Sequence, residues 1–181
     1  MRTEIRLSGS GGQGLITAGI ILARAASLYD GKNAVQTQSY GPEARGGASK
    51  AEVIISDKRI NYPKVQNPDV FVALTQESLD KYIKGVKDGG VVLIDDMLVK
   101  TPPKGDFEVY SLPVLTQAAE SVGSIMTANI LTLALINALC TLVSDEALEK
   151  AVKEMFPPKA TELNMKALSA GKALVAKSLH E

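Results

Sequence analysis

The sequence is poor in the residues that metal and redox chemistry uses. It has one cysteine (Cys140), one histidine (His180) and no tryptophan. One thiol makes no intrachain disulfide and no Cys/His zinc site, and an iron–sulfur cluster takes about four thiolates. His180 is the penultimate residue, where chains fray, so a Ser-His-Asp or Cys-His mechanism has no credible base. Net charge is also missing, since 20 Lys and Arg balance 20 Asp and Glu. Neutrality argues against nucleic acid or an anionic membrane as the main partner. No G-x-x-x-x-G-K-[ST] phosphate loop occurs, because Gly171-Lys172 is followed by Ala173. No Gly-Asp-Gly of the usual thiamine-diphosphate metal motif occurs either. Any redox group this protein works with must come from elsewhere.

What is present describes a soluble domain. Hydrophobic residues make up 45% and charged residues 22% of 181. A domain of this size buries about 70% of its unfolded surface and needs no staple. We read residues 1–181 as one domain, with no repeat and no credible linker. Met1 leads straight into a strand-like run without a secretory h-region, so a cytoplasmic location is expected.

Short β-branched runs alternate with helical patterns. Strands are expected near residues 5–7, 34–39, 51–56, 69–75, 91–95 and 107–111, and helices over 15–28, 76–84, 114–122, 125–143, 145–155 and 161–179. Ser144 is the expected N-cap of the 145–155 helix, and Pro157-Pro158 is expected to break the last two helices apart. Alternation followed by helices predicts an α/β fold of three layers: a mostly parallel sheet, helices on both faces, and a helical C-terminal part. Residues 124–144 carry no charge and are long enough to span a bilayer. Thr127, Asn129, Thr132, Asn137 and Thr141 interrupt the run, which favours a buried helix in the core or at a subunit face over a membrane span.

Residues 9–14 read Gly-Ser-Gly-Gly-Gln-Gly. Gly9, Gly11 and Gly14 fit G-x-G-x-x-G between a strand and a helix, where backbone N–H groups meet a phosphate at the helix's positive end. Gly12 and Gln13 complete the loop. A nicotinamide site wants an acid about 20 residues on, at the end of the second strand. That strand ends Gln38-Ser39-Tyr40, and Asp30 precedes it. NAD is therefore disfavoured, leaving a tight β–α turn, a different phosphate-bearing ligand or a partner subunit. Residues 38–47 form a second loop, Gln-Ser-Tyr-Gly-Pro-Glu-Ala-Arg-Gly-Gly. Arg45 suits a bidentate grip on phosphate or carboxylate, Tyr40 offers a stacking face, and Gly46-Gly47 allows close approach of another chain. A solvated surface loop with Glu43 and Arg45 weakly paired explains it equally well.

GSGGQG and QSYGPEARGG, followed by SKAEVIISD and NPDVFVALTQES, closely resemble the gamma subunit of 2-oxoacid:ferredoxin oxidoreductases over nearly the whole chain. The wording of the second motif is most similar to the 2-oxoglutarate type, with the branched-chain type next and indolepyruvate enzymes further off. The resemblance implies a non-catalytic subunit that supports assembly and CoA-dependent oxidative decarboxylation of a 2-oxoacid to acyl-CoA, with electrons passed to ferredoxin. It implies that thiamine diphosphate, Mg and iron–sulfur clusters are held by partners: thiamine-binding alpha and beta subunits and a ferredoxin-like delta subunit. It carries Gly9, Gly11, Gly12, Gln13 and Gly14, and Tyr40, Gly41, Pro42, Glu43, Arg45, Gly46 and Gly47, over as residues near CoA or a docked subunit. Arg45 and Lys50 are the cations expected near CoA phosphates, and the helix around Asn129 is a candidate subunit face. No catalytic residue and no metal ligand is expected, and the isolated chain is open to self-association. A self-sufficient nicotinamide enzyme and a stand-alone nucleotide- or CoA-binding module remain the rival readings.

Overall fold

The computed structural model describes residues 1–39 and 47–179. Its strands are β1 (Arg2–Ser10), β2 (Asn33–Ser39), β3 (Ala48–Ser56), β4 (Val70–Ala73), β5 (Gly90–Asp95) and β6 (Phe107–Leu112). Its helices are α1 (Leu15–Arg24), α2 (Gln76–Tyr82), α3 (Val114–Gln117), α4 (Ala128–Cys140), α5 (Asp145–Met155) and α6 (Pro158–Ser178). The strands form one sheet in the order β2-β3-β1-β4-β5-β6.

The half β1-β4-β5-β6 is parallel throughout, as expected of strands joined by crossovers. β3 runs antiparallel to both β1 and β2, so the sheet is mixed. The cause is the connection between β2 and β3. It covers residues 40–47, too short for the dozen or more residues a parallel crossover takes.

Alternation along the central strands separates two layers. Val70 and Val72 of β4 and Leu93 of β5 join a large core under α1, α4, α5 and α6. Phe71 and Ala73, with Val92 and Ile94, join a small core under α2, which contributes Leu79. The two helical layers are therefore unequal.

The charge-free run is a core helix. Ala128 to Asn137 of α4 are buried without a break. At 13 residues α4 is about 20 Å long, against a hydrocarbon core of roughly 30 Å. Among the described residues no helix is long and apolar enough to cross a membrane. The expected 125–143 helix is shortened at both ends. Residues Ile125–Thr127 form a 3-10 turn. Thr141 takes a left-handed φ of 50°, and the Asn137 side-chain oxygen accepts from Val143 N–H at 3.0 Å. Asn137 thus closes the helix it belongs to.

Other boundaries shift for local reasons. The 15–28 helix is regular only to Arg24 and then widens into a π-helical turn, Ala25–Tyr29. The last helix starts at Pro158, because a proline at the first helical position loses no hydrogen bond. Ser144 caps α5 as expected, accepting from Ala147 N–H at 3.2 Å.

Cys140, at the end of α4, is half-buried. Burial first, and the charge of Glu108 second, push its thiol up to about 11. At pH 8 its alkylation by iodoacetamide is expected to run on the order of a hundredfold slower in the folded chain than in the unfolded one. Mass spectrometry of timed samples reads this, and equal rates would show the thiol to be ordinary.

Candidate functional site

The site grows from the end of β1. The chain leaves Ser10, makes the glycine turn and enters α1. Gln13 folds back on this turn: its Oε1 accepts from Ser10 N–H at 2.8 Å, and its own N–H donates to the Ser10 carbonyl at 3.3 Å. A Cβ at Gly9 would collide with the Gln13 side-chain oxygen and lie 2.8 Å from Leu15 Cδ1. The glycine at position 9 therefore makes room for the staple that shapes the loop.

Gly14 is the N-cap of α1. Its φ is 74°, and a Cβ there would lie 2.6 Å from Asn129 Nδ2. Asn129 Nδ2 donates to the Gly14 carbonyl at 3.1 Å, while Asn129 Oδ1 accepts from Ile130 N–H at 2.9 Å. One side chain thus ties the start of α4 to the start of α1. Neither N-cap residue, Gly14 of α1 or Thr127 of α4, makes a side-chain cap bond, and neither helix has an acidic residue in its first turn. The positive ends of both helices face the same place, an environment that favours an anion.

The two sequence motifs meet here in part. The β1–β3 register pairs Gly9 with Ser49 and Ser10 with Ala48. This brings the end of the second loop to the first, and Gly11 N–H donates to the Gly47 carbonyl at 3.2 Å. Tyr40, Gly41, Pro42, Glu43, Arg45 and Gly46 lie outside the described residues.

A cleft of about 760 Å³ opens beside the glycine loop. Gly11, Gly12, Gln13 and Gly14 form one end of it. Apolar side chains line much of the rest: Met97 and Leu98 after β5, Leu115 of α3, Ile125 and Met126 before α4, and Phe156 and Leu163, with Thr17, Asn129 and Asn164 among the polar residues between them. Ile125, Met126, Met97 and Leu98 are exposed at 55%, 76%, 45% and 37% and give the cleft an apolar rim. No described residue lining the cleft titrates near neutrality. The described lining suits a ligand with an anionic part and an apolar part, and among the described residues it offers no acid, base or thiol. Among the described residues no group of three His, Cys, Asp or Glu converges to hold a metal ion.

Two residues weighed from the sequence serve elsewhere. Asp30 does not face a ribose. Its carboxylate accepts from Ser144 N–H and Ser144 Oγ, both at 2.6 Å, and so fixes the start of α5. Strand β3 also lies between β1 and β2, so the end of β2 is one strand further from the glycine loop than a dinucleotide fold requires. Lys50 does not line the cleft. Its Nζ pairs with Glu52 at 3.1 Å and lies 5.5 Å from the Tyr82 ring centre, and Glu52 lies with Arg6 and the end of α2. The cleft's Met97 and Leu98 were not legible as site residues, since no local motif marks them, and Asn129 was expected only as part of a subunit face.

The family model for pyruvate ferredoxin/flavodoxin oxidoreductase matches residues 4–174. The 2-oxoglutarate synthase subunit KorC of Methanocaldococcus jannaschii is 53% identical over 173 residues, 94% of this chain and 92% of that one. The crystal structure of the keto/oxoacid ferredoxin oxidoreductase gamma subunit from Geobacter sulfurreducens PCA is 48% identical, with a TM-score of 0.91 over 98% of both chains. The 2-oxoglutarate:ferredoxin oxidoreductase from Magnetococcus marinus, solved with 2-oxoglutarate, coenzyme A and succinyl-CoA bound, shares the fold at a TM-score of 0.85 and 23% identity. The match covers 97% of this chain but 31% of that one, which therefore carries this fold as one part of a longer polypeptide. On these grounds the chain belongs to the pyruvate ferredoxin/flavodoxin oxidoreductase family, and it stands there among the gamma subunits that its two loop motifs resemble.

Proposed function

We propose that this chain is the gamma subunit of a 2-oxoglutarate:ferredoxin oxidoreductase and that its glycine-loop cleft receives CoA. The complex converts a 2-oxoacid and CoA to acyl-CoA and carbon dioxide, and two electrons pass to ferredoxin. The thiamine diphosphate, Mg and iron–sulfur clusters belong to alpha, beta and delta partners. The observation that carries the reading is the cleft itself. One end presents a glycine turn and the N-terminus of α1, which suit a diphosphate. The other end is apolar and suits the pantetheine arm. The choice of 2-oxoglutarate rests on the names of the M. jannaschii and M. marinus relatives.

Three experiments separate the parts of this reading. Anaerobic isolation of the tagged chain from its native cells should bring down a thiamine-binding chain and an iron–sulfur chain. Recovery of the chain alone under gentle salt would favour a stand-alone CoA-binding module. On the purified complex, 2-oxoglutarate should be oxidised faster than branched-chain 2-oxoacids or indolepyruvate, and the reverse order would reassign the substrate. Arg45→Ala should raise the KM for CoA by roughly tenfold or more, the loss of one charge-assisted contact to phosphate. An unchanged CoA dependence would take Arg45 out of the binding role.

A further inference from the structure

We propose that Asp95 is the positioning residue of the cleft: one buried carboxylate holds three of its apolar wall residues by their backbone N–H groups. The inference rests on the reading of the cleft as the CoA site and extends it to what sets the site's shape.

Asp95 ends β5 and is completely buried. Its Oδ1 accepts from Met97 N–H at 3.0 Å and from Leu98 N–H at 2.9 Å. Its Oδ2 accepts from Leu115 N–H at 2.9 Å. All three donors belong to residues that line the cleft. Two of them come from the turn after β5, and the third from the first turn of α3, where a helix has no partner of its own for its N–H. The backbone repeats the tie, as Asp96 N–H donates to the Leu112 carbonyl at 3.0 Å and Val99 N–H to the Asp95 carbonyl at 3.1 Å.

Met97 and Leu98 are 45% and 37% exposed and belong to neither core cluster, so core packing alone does not fix them. Their position comes from the backbone, and the backbone is held by Asp95. A carboxylate is the short side chain with two acceptor oxygens. Asparagine has the same size but one acceptor oxygen, so at least one of the three N–H groups loses its partner whichever way the amide turns. The wall then opens without a cavity being made in the core.

The test is Asp95→Asn in the reconstituted complex, with activity read per assembled complex. The expected result is a KM for CoA raised by about tenfold, with kcat at saturating CoA and the KM for the 2-oxoacid within about twofold of the parent. A variant that only lowers Tm and the assembled fraction, with an unchanged KM for CoA, overturns the proposal. Arg45→Ala run beside it keeps the two readings apart. If Arg45→Ala raises the KM and Asp95→Asn does not, the inference about Asp95 fails alone. If neither does, the CoA reading of the cleft fails with it. Should Asp95→Asn not assemble, hydrogen exchange on the parent complex decides. The amides of Met97, Leu98 and Leu115 are expected to open together at one rate and to slow together when CoA is added. Three unrelated rates, or no response to CoA, would overturn it.

Discussion

Gly14→Val is expected to lower the Tm of the chain by about 10 °C and to raise the KM for CoA of any assembled complex by more than tenfold. Two effects add at this residue. The N-cap φ of 74° is left-handed, and a β-branched residue there costs roughly 1–2 kcal/mol. The new Cβ would also lie 2.6 Å from Asn129 Nδ2, whose donation to the Gly14 carbonyl is the link between α1 and α4. Forcing Asn129 away leaves a polar group unpaired, at about 1–3 kcal/mol. The sum is about 2–5 kcal/mol, a large part of the stability of a single domain. Gly14→Ala carries the strain and the collision with a smaller side chain and should fall between parent and valine. Thermal unfolding of the isolated chain reads the first effect and CoA titration of the complex the second. A Tm within 2 °C of the parent, a limit of about 1 kcal/mol for this chain length, would mean that Asn129 moves aside freely.

The second large effect lies on the opposite face of the sheet. Arg6→Met is expected to cost about 3 kcal/mol, or about 6–12 °C in Tm, with the CoA dependence of the assembled complex unchanged. Arg6 is 8% exposed. Its Nε donates to Glu52 Oε1 at 2.7 Å, and its Nη1 donates to the carbonyls of Tyr82 and Lys84 at 2.9 and 3.1 Å. The guanidinium thus satisfies a buried carboxylate and the carbonyls at the end of α2 together. Methionine keeps the apolar stem but leaves those carbonyls without this donor, and leaves Glu52 with Lys50. Adding Glu52→Leu to Arg6→Met should recover part of the loss, because removing both partners of a buried pair costs less than removing one. A double variant as unstable as the sum of the two singles would show that the pair contributes nothing through its mutual contact.

The features legible in the amino-acid order are the local ones. The alternation of strands and helices, the N-cap at Ser144, the glycine turn after the first strand and the family resemblance are all carried by residues a few positions apart. The same locality sets their limit. Short β-branched runs mark β2 and β3 as strands but not that β3 lies between β1 and β2, which the short 40–47 connection and the β1–β3 register settle. An uncharged run marks a buried helix, but its end at Cys140 depends on where Asn137 finds its partners.

The candidate site depended most on tertiary structure. Asn129 meets Gly14 across 115 residues, and Asp95 meets Leu115 across 20. Asp30 and Lys50 look available in the sequence, yet one is taken up by Ser144 and the other by Glu52. Which polar group is free for a ligand follows from what the packing has already paired. That pairing is set by strand register and helix docking between distant segments, which no local pattern encodes.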